Sequence, residues 1–241
     1  MAPAPKFSAQ EQEVMILDAA ANCINESSIT DFTMAKVAKN AGLSMGSVYK
    51  FVQSKEDILL ALAHRSFAHI LGVFRQVLAL PMTTPERILA ISLISPKTLQ
   101  LYPFDYELQS YAINEAVMRR ASSNWTNRLI ESNSLCEAAF KQSLIEGIEA
   151  GELENVPDRE SIIEEIIVGC WAMCVGYDQV IRVQQSRQII EGTDSLLEPL
   201  QLDAAIIRCM RRLLNSYPWK APISDASLST IHQHLTELQF R

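Results

Sequence analysis

The sequence predicts an all-α protein, because its composition and its apolar spacing both favour helices. Leu, Ala, Ile, Glu and Gln are abundant among the 241 residues, and glycine is scarce, with 8 residues. The abundant types are mostly ones that lose little conformational freedom in a helix. The sequence does not show the regular alternation of β-branched and polar residues that is typical of strands. With 48% hydrophobic residues, a chain of this length can bury a sizeable core in one or two domains.

The first predicted helix spans residues 9–25, after a loose arm at residues 1–8. Apolar side chains recur there every three or four residues, which predicts one buried face. The residues of this face are Val14, Ile16, Leu17, Ala20 and Ile24.

Two short helices joined by a tight turn follow. Thr33 precedes the first of them at an N-cap position, and Ser44 precedes the second, which is predicted at residues 45–51. Gly42 lies between them and can adopt a positive φ at no steric cost. Such a pair is a helix-turn-helix, whose second helix enters the major groove of DNA.

A fourth helix is predicted from Ser54 towards Val77. Ser54 is placed as its N-cap, and Asp57 follows three residues later as in a short capping box. Pro81 and Pro85 stop the helix, because proline cannot continue the ladder of backbone hydrogen bonds.

The helix-turn-helix carries a local excess of positive charge. The net charge of the chain is −7, yet residues 33–55 contain four lysines and no acidic residue. A basic face on an acidic protein attracts phosphates at one surface only, as a specific DNA reader requires. Four lysines by themselves would equally suit a solvated helix face. The motif around them favours DNA binding.

Eight residues of this segment are candidates for DNA contact. The start of the second helix faces the groove, where serine can bond to any base edge, methionine can touch a thymine methyl and glycine lets the backbone approach closely. Helix N-termini also attract phosphates. The candidates are Thr33, Ser44, Met45, Gly46, Ser47, Tyr49, Lys50 and Lys55. Tyr49 could instead pack in the core, and Thr33 and Ser44 also act as caps.

The rest of the chain is predicted to be helical as well. We place helices at residues 86–93, 97–101, 106–120, 122–150, 159–187 and 203–216, with a linker at residues 190–201. A short amphipathic helix through Ile231, Leu235 and Leu238 is expected near the C-terminus. The predicted domains are residues 1–65, 66–216 and a C-terminal extension at 217–241.

From about Met15 to Leu62 the chain resembles the DNA-binding domain of the TetR/AcrR family of bacterial transcriptional regulators. The resemblance is carried by ILDAAANCI and by TMAKVAKNAGLSMGSVYKFVQSKEDIL. Two features depart from the family pattern. Residues 25–28 replace the usual glycine after the first helix, and Met45 stands where a lysine often follows the cap.

The resemblance implies a TetR-like fold, in which the second domain binds a ligand and forms a homodimer. A palindromic DNA operator and a small hydrophobic effector are the implied partners, and repression is the implied action. The implied ligand contacts are Tyr106, Tyr111, Asn124, Trp125, Arg128, Trp171, Cys174, Tyr177 and Asp178. The implied dimer contacts are Ile163, Ile167, Cys170, Ile206, Met210 and Leu213. The aromatic candidates could instead be ordinary core residues.

Other classes of protein lack sequence support. Phosphate-binding loops, G-x-S-x-G elbows and H-E-x-x-H motifs are missing, so an enzyme is not expected. Cys170 and Cys174 share a helix face, but they have no further ligands nearby, and no metal or cofactor is expected. Five scattered cysteines without a signal peptide indicate free thiols in a reducing cytoplasm. Residues 162–177 contain Glu164 and Glu165 and are expected to be too polar to span a membrane.

Two alternatives to a ligand-responsive regulator remain at this point. In the first, the protein binds DNA without a small ligand, and the segment from Tyr217 docks a protein partner or the second domain is architectural. In the second, the chain is an all-α enzyme with a coincidental helix-turn-helix, which a catalytic pair with strongly perturbed pKa values would indicate.

Overall fold

The computed structural model describes residues 7–154, 158–184, 186 and 198–241, and those residues are helical apart from turns, loops and one isolated β-bridge. The bridge joins Leu153 to Trp219. The helices are α1 (Ala9–Glu26), α2 (Met34–Asn40), α3 (Met45–Val48), α4 (Lys55–Leu78), α5 (Thr84–Ser92), α6 (Pro96–Leu99), α7 (Asp105–Ala112), α8 (Glu115–Met118), α9 (Ser123–Glu149), α10 (Arg159–Gln184), α11 (Ala205–Leu214) and α12 (Asp225–Glu237). The all-α prediction is confirmed.

The chain forms two compact units. Unit 1 contains residues 1–69 and 100–134, and unit 2 contains residues 70–99 and 135–241. These units group the residues differently from the predicted domains, because residues 100–134 share a core with the N-terminal helices. Their contribution to that core is Phe104, Leu108, Ala112, Val117, Trp125 and Leu129.

Helix α1 forms much as its spacing predicts. Its N-terminus has a complete capping box: Glu11 N donates to Ser8 Oγ at 3.2 Å, and Ser8 N donates to Glu11 Oε2 at 2.7 Å. Ile16, Leu17, Ala20 and Ile24 are buried as predicted. Val14 is 45% exposed, so its predicted place in the core is wrong.

In unit 2 a core shared by α5, α10, α11 and α12 brings distant segments together. Ile163 and Ile166 of α10 are buried in the same cluster as Ile207 and Met210 of α11. Helix α5 contacts both α11 and α12. Apolar residues of each of these helices are therefore buried against another part of the same unit.

The predicted C-terminal helix exists and belongs to unit 2. Ile231 and Leu235 are fully buried, and the chain beyond α12 returns to the loop that follows α5. There Ser95 N donates to Phe240 O at 2.7 Å, and Arg241 Nη1 donates to Leu93 O at 2.9 Å. The extension is thus a structural part of the second unit.

Some predicted boundaries require correction. The single helix predicted at residues 106–120 is broken at Ile113 and Asn114, because the Asn114 side chain caps α8 by accepting from Ala116 N at 2.9 Å. Most of the predicted linker at residues 190–201 lies outside the described residues, as does the predicted end of the helix at Arg187.

Helices α4 and α10 are both long and apolar enough, by length and composition, to cross a membrane. The expectation that residues 162–177 are too polar for this is therefore wrong. Helix α4 is mostly buried within the chain, as the core helix of a soluble protein would be, whereas little of the apolar part of α10 is covered. Its exposed residues include Val168, Trp171 and Val175.

Candidate nucleic-acid interface

The turn between α2 and α3 has the geometry that the sequence predicts. Thr33 Oγ1 accepts from Lys36 N at 3.2 Å and caps α2. After α2, Gly42 adopts a φ of 65°, and Leu43 N donates to Ala38 O at 3.0 Å, as at a helix end closed by a left-handed residue. A side chain at Gly42 would be strained, so the glycine fixes the direction in which α3 leaves the turn.

Helix α3 is shorter than predicted. Ser44 Oγ accepts from Ser47 N at 3.1 Å and caps it, but the α-helix ends at Val48. Beyond that residue the hydrogen bonds tighten, since Lys50 N donates to Ser47 O and Phe51 N to Val48 O. The predicted helical span at residues 45–51 is therefore one helical turn followed by a tighter turn.

The predicted contact residues all lie in unit 1 and are at least partly exposed. Val48 and Val52 are fully buried and hold α3 against the core, which leaves its N-terminal end outside. Ser44, Gly46, Tyr49 and Lys50 are exposed, and Met45, Ser47 and Lys55 are partly exposed. Tyr49 is 46% exposed, so the alternative in which it packs in the core does not describe this structure.

The lysines of this segment differ in their surroundings. Lys36 Nζ pairs with Glu26 Oε2 at 2.9 Å, and this contact raises the pKa of Lys36. Lys55 Nζ donates to Thr30 O at 3.1 Å and lies 5.0 Å from the centroid of the Phe32 ring. Lys39 and Lys50 are exposed. The surface around α3 therefore presents positive charge to the solvent.

A partly buried hydrogen bond from α9 supports the segment that follows α3. Trp125 is 1% exposed, and its Nε1–H donates to Phe51 O at 2.8 Å. This carbonyl lies where the tight turn after α3 ends, and it would otherwise be unpaired inside unit 1. Trp125 therefore fixes the end of the segment that carries Tyr49 and Lys50.

Asp57 makes a second connection of this kind. Its carboxylate is fully buried and accepts from Gln53 N at 2.8 Å and from Ser122 N at 2.6 Å. The predicted N-cap Ser54 is present, since Ser54 Oγ accepts from Asp57 N at 3.1 Å. The carboxylate bonds to Gln53 N and not to the cap residue, so the predicted capping box does not form as expected.

Arg128 and His64 complete this support. The Arg128 guanidinium stacks 4.1 Å from the Trp125 ring and pairs with Glu13 of α1 at 3.2 Å. His64 Nδ1 lies 2.5 Å from Ser132 Oγ. Burial, together with the nearby positive charge of Arg128, lowers the pKa of His64, which favours a neutral ring.

Sequence reasoning missed the supporting roles of Glu13, Asp57 and Ser122. Glu13 is 115 residues from its partner Arg128, and Asp57 is 65 residues from its partner Ser122. Helix periodicity and capping rules connect residues only a few positions apart, so they contain no signal for such contacts.

The predicted ligand contacts are divided between the two units. Tyr106, Tyr111, Asn124, Trp125 and Arg128 belong to unit 1, and Trp171, Cys174, Tyr177 and Asp178 belong to unit 2. Within unit 1, Trp125 and Arg128 are already engaged in the support of α3, whereas Asn124 and Tyr111 are exposed. The predicted ligand contacts therefore stay a prediction.

On α10 the candidates differ in exposure. Cys174 and Tyr177 lie partly buried against the core of unit 2, while Trp171 and Asp178 are exposed. Cys170 is buried, and burial raises the pKa of its thiol to about 12, as expected of a core cysteine. A depression of about 300 Å³ on unit 2 contains none of the predicted ligand residues. It is lined by Leu202, Asp203, Ile207, Arg208, Arg211, Asp225, Leu228 and Ser229.

The predicted dimer contacts differ in burial within the single chain. Ile163, Cys170, Ile206 and Met210 are buried in the core of their own unit, and Ile167 and Leu213 pack against that core. Helices α10 and α11 pack against each other, which accounts for the buried part of their apolar spacing. Apolar periodicity alone cannot separate this contact from contact with a second chain.

Comparison with known proteins shows which family part of this chain matches. Residues 16–62 match the family of bacterial regulatory proteins described as the tetR family. The fatty acid metabolism regulator protein of Bacillus subtilis (strain 168) is 24% identical over 142 residues, which are 59% of this chain and 71% of that protein.

Two solved structures share the fold. A transcriptional regulator of the TetR/AcrR family from Thermobifida fusca aligns with a TM-score of 0.52 at 18% identity, covering 86% of this chain and 98% of that one. The TetR family transcriptional regulator PfmR from Thermus thermophilus aligns with a TM-score of 0.50 at 15% identity, covering 83% and 96%. The helix-turn-helix and the helical remainder of the chain thus both have counterparts in known regulators.

Proposed function

We propose that this chain, whose residues 16–62 match the tetR family of bacterial regulatory proteins, represses transcription in the cytoplasm by binding a near-palindromic operator as a homodimer. A small hydrophobic effector would release the operator. The Met45–Val48 helix would enter the major groove, with Thr33 and Lys55 on phosphates.

One observation supports this proposal above the others: the N-terminal end of α3 is exposed and has a glycine that the fold does not need. A Cβ added at Gly46 would meet only Ser44 Oγ, at 3.9 Å, so packing within the chain allows a side chain there. Glycine in a helix costs about 1 kcal/mol relative to alanine. The close approach of a DNA backbone or base edge gives a reason for that cost.

The test is footprinting on a DNA fragment selected from genomic DNA by the purified protein. We expect a protected palindrome with two half-sites about one helical turn apart, and a steep loss of affinity with salt. Replacing Tyr49 and Lys50 with Ala should weaken binding about tenfold or more while circular dichroism stays unchanged, because both side chains are exposed. Lys141→Ala in unit 2 is the control.

Retention of full affinity by the Tyr49 and Lys50 variant would remove these residues from the reading surface. Selection of fragments without a common motif would contradict the operator itself and would favour an architectural role.

The same footprint tests the effector. The name of the Bacillus subtilis relative refers to fatty acid metabolism, so a long-chain fatty acid and its coenzyme A thioester are the first probes, with coenzyme A alone as the control.

The homodimer is proposed on the exposed apolar face of α10. Val168 is 54% exposed, Trp171 48% and Val175 44%, and the spacing of three and four residues places them on one side of the helix. Contact with the same face of a second subunit would cover this stripe, as two-fold symmetry requires. The buried residues first predicted for this role serve the core of unit 2 instead.

Replacing Val168 and Val175 with Glu should convert the dimer into a folded monomer in sedimentation equilibrium, because like charges would face each other across the two-fold axis. Val14→Glu is a matched control, since Val14 is exposed to a similar degree in unit 1. Ile206→Glu should instead unfold unit 2, because Ile206 is 7% exposed. A variant that remains a dimer would place the interface elsewhere.

The alternative in which the C-terminal extension docks a protein partner is not favoured. The extension buries Trp219, Ile231 and Leu235 within unit 2, so its apolar face is already occupied.

A further inference from the structure

Two adjacent arginines lie beside the helix-turn-helix although they are far from it in sequence. Arg119 and Arg120 follow α8, and each side chain is 76% exposed. They belong to the part of the chain, residues 100–134, that the sequence assigned to the second domain but that folds into unit 1. Neither arginine belongs to the helix-turn-helix motif.

Two contacts fix this arginine pair next to the first turn of α4. Arg120 Nη1 lies 3.8 Å from Glu56 Oε1, and two residues further on Ser122 N donates to the buried Asp57 carboxylate at 2.6 Å. Val117, just before the pair, is buried in the core of unit 1. The backbone that carries the arginines is therefore anchored on both sides.

The first turn of α4 also carries Lys55, a proposed phosphate contact. Lys55 reaches Thr30 O on one flank of this helix end, while Asp57 bonds to Ser122 on another. The arginine pair and Lys55 are thus both held at the first turn of α4, the arginines through Glu56 and Asp57 and the lysine as a residue of that turn.

We propose that Arg119 and Arg120 form a second phosphate anchor, which contacts the DNA backbone beyond the segment bound by the helix-turn-helix. This inference rests on the proposed function, since it requires that α3 enters the major groove. Guanidinium groups bind phosphate oxygens in a bidentate manner, and such contacts position a protein on DNA without reading the sequence.

The present partners of the arginines do not prevent this role. Arg119 pairs with Glu115 at 2.5 Å between two exposed side chains, and Arg120 lies at the longer distance of 3.8 Å from the partly buried Glu56. Exposed ion pairs are worth about 0–1 kcal/mol, so a phosphate can replace a carboxylate as the partner. The chain as a whole has a net charge of −7, which makes local basic groups necessary for attraction to DNA.

The experiment measures operator affinity by fluorescence anisotropy over a series of salt concentrations, with the full-length protein. It compares the wild type with the double variant Arg119→Gln and Arg120→Gln. The matched control is Lys141→Gln and Lys220→Gln, which removes the same charge from exposed positions of unit 2. A mixed-sequence duplex of equal length is measured in parallel, because phosphate contacts are independent of sequence.

We expect the arginine variant to lose about tenfold or more in affinity at low salt on both duplexes. The slope of log K against log salt should fall by about two per subunit, and the footprint should keep its position. The control should retain the wild-type slope.

An unchanged slope in the arginine variant, with normal operator binding by the wild type, would overturn the second anchor and leave the proposed function intact. An equal fall in the control would also overturn it, because the effect would then follow net charge and not position. If the wild-type protein binds neither duplex, both proposals are overturned together.

Discussion

Removal of residues 217–241 is expected to unfold unit 2. The segment contributes four side chains that are at most 6% exposed, namely Trp219, Ile223, Ile231 and Leu235. Burial of such a side chain stabilises a fold by about 1.5–3 kcal/mol, so the four together approach the whole stability of a typical domain. Truncation after Ser216 should therefore give a chain with a lower helix content and a first thermal transition many degrees lower in circular dichroism.

Backbone contacts of the segment add to this effect. Glu154 N donates to Pro218 O and Lys220 N to Glu152 O, both at 2.9 Å, and the truncation would leave Glu152 and Glu154 without these partners. Ile231→Ala tests the packing alone and should cost about 2–5 kcal/mol in urea unfolding. Thr230→Ala, at an exposed neighbouring position, is the control. A truncated protein with the wild-type transition would show that the extension is dispensable for the fold.

Local rules predicted the helix-turn-helix in detail because its contacts are local. Thr33, Ser44 and Gly42 act within three or four residues of their own positions, and the structure places each as expected. The start of α3 was predicted to the residue for the same reason. Its end was not, since the switch to tighter hydrogen bonds after Val48 has no strong sequence signal.

Partners of apolar faces could not be predicted in the same way. The spacing in α10 shows that Ile163 and Ile166 are buried, but it does not show that α11 of the same chain covers them. Aromatic residues had the same ambiguity: Trp125 was expected to contact a ligand and is instead the largest fully buried side chain of unit 1. Tertiary packing determines these outcomes, and a single sequence does not reveal which distant segments meet.

Substitution of Trp125 is expected to have the second large effect, a loss of DNA binding. Trp125→Ala would remove a large side chain that is 1% exposed, and large-to-small replacements of this kind cost about 3–5 kcal/mol. We expect unit 1 to melt at a much lower temperature and operator binding to be lost. That result alone would not separate the position of α3 from its general stability.

Trp125→Phe makes the separation. It keeps an aromatic ring in the core but removes the Nε1–H donor, so Phe51 O loses its partner at 2.8 Å. An unsatisfied buried carbonyl costs about 1–3 kcal/mol, which a folded unit can tolerate. The unpaired turn can then shift, and it carries Tyr49 and Lys50. We expect a folded protein whose operator affinity falls about tenfold or more.

Trp219→Phe is the matched control for this substitution, because Trp219 is 6% exposed in unit 2 and its Nε1–H likewise donates to a backbone carbonyl, Leu214 O, at 2.8 Å. Anisotropy titrations with the operator, alongside urea unfolding of each variant, give the affinity and the stability separately. If affinity falls only in proportion to the fraction unfolded, Trp125 is a core residue and nothing more. If affinity falls while the protein stays folded, Trp125 positions the reading surface, through its hydrogen bond to Phe51 O or through its stacking with Arg128.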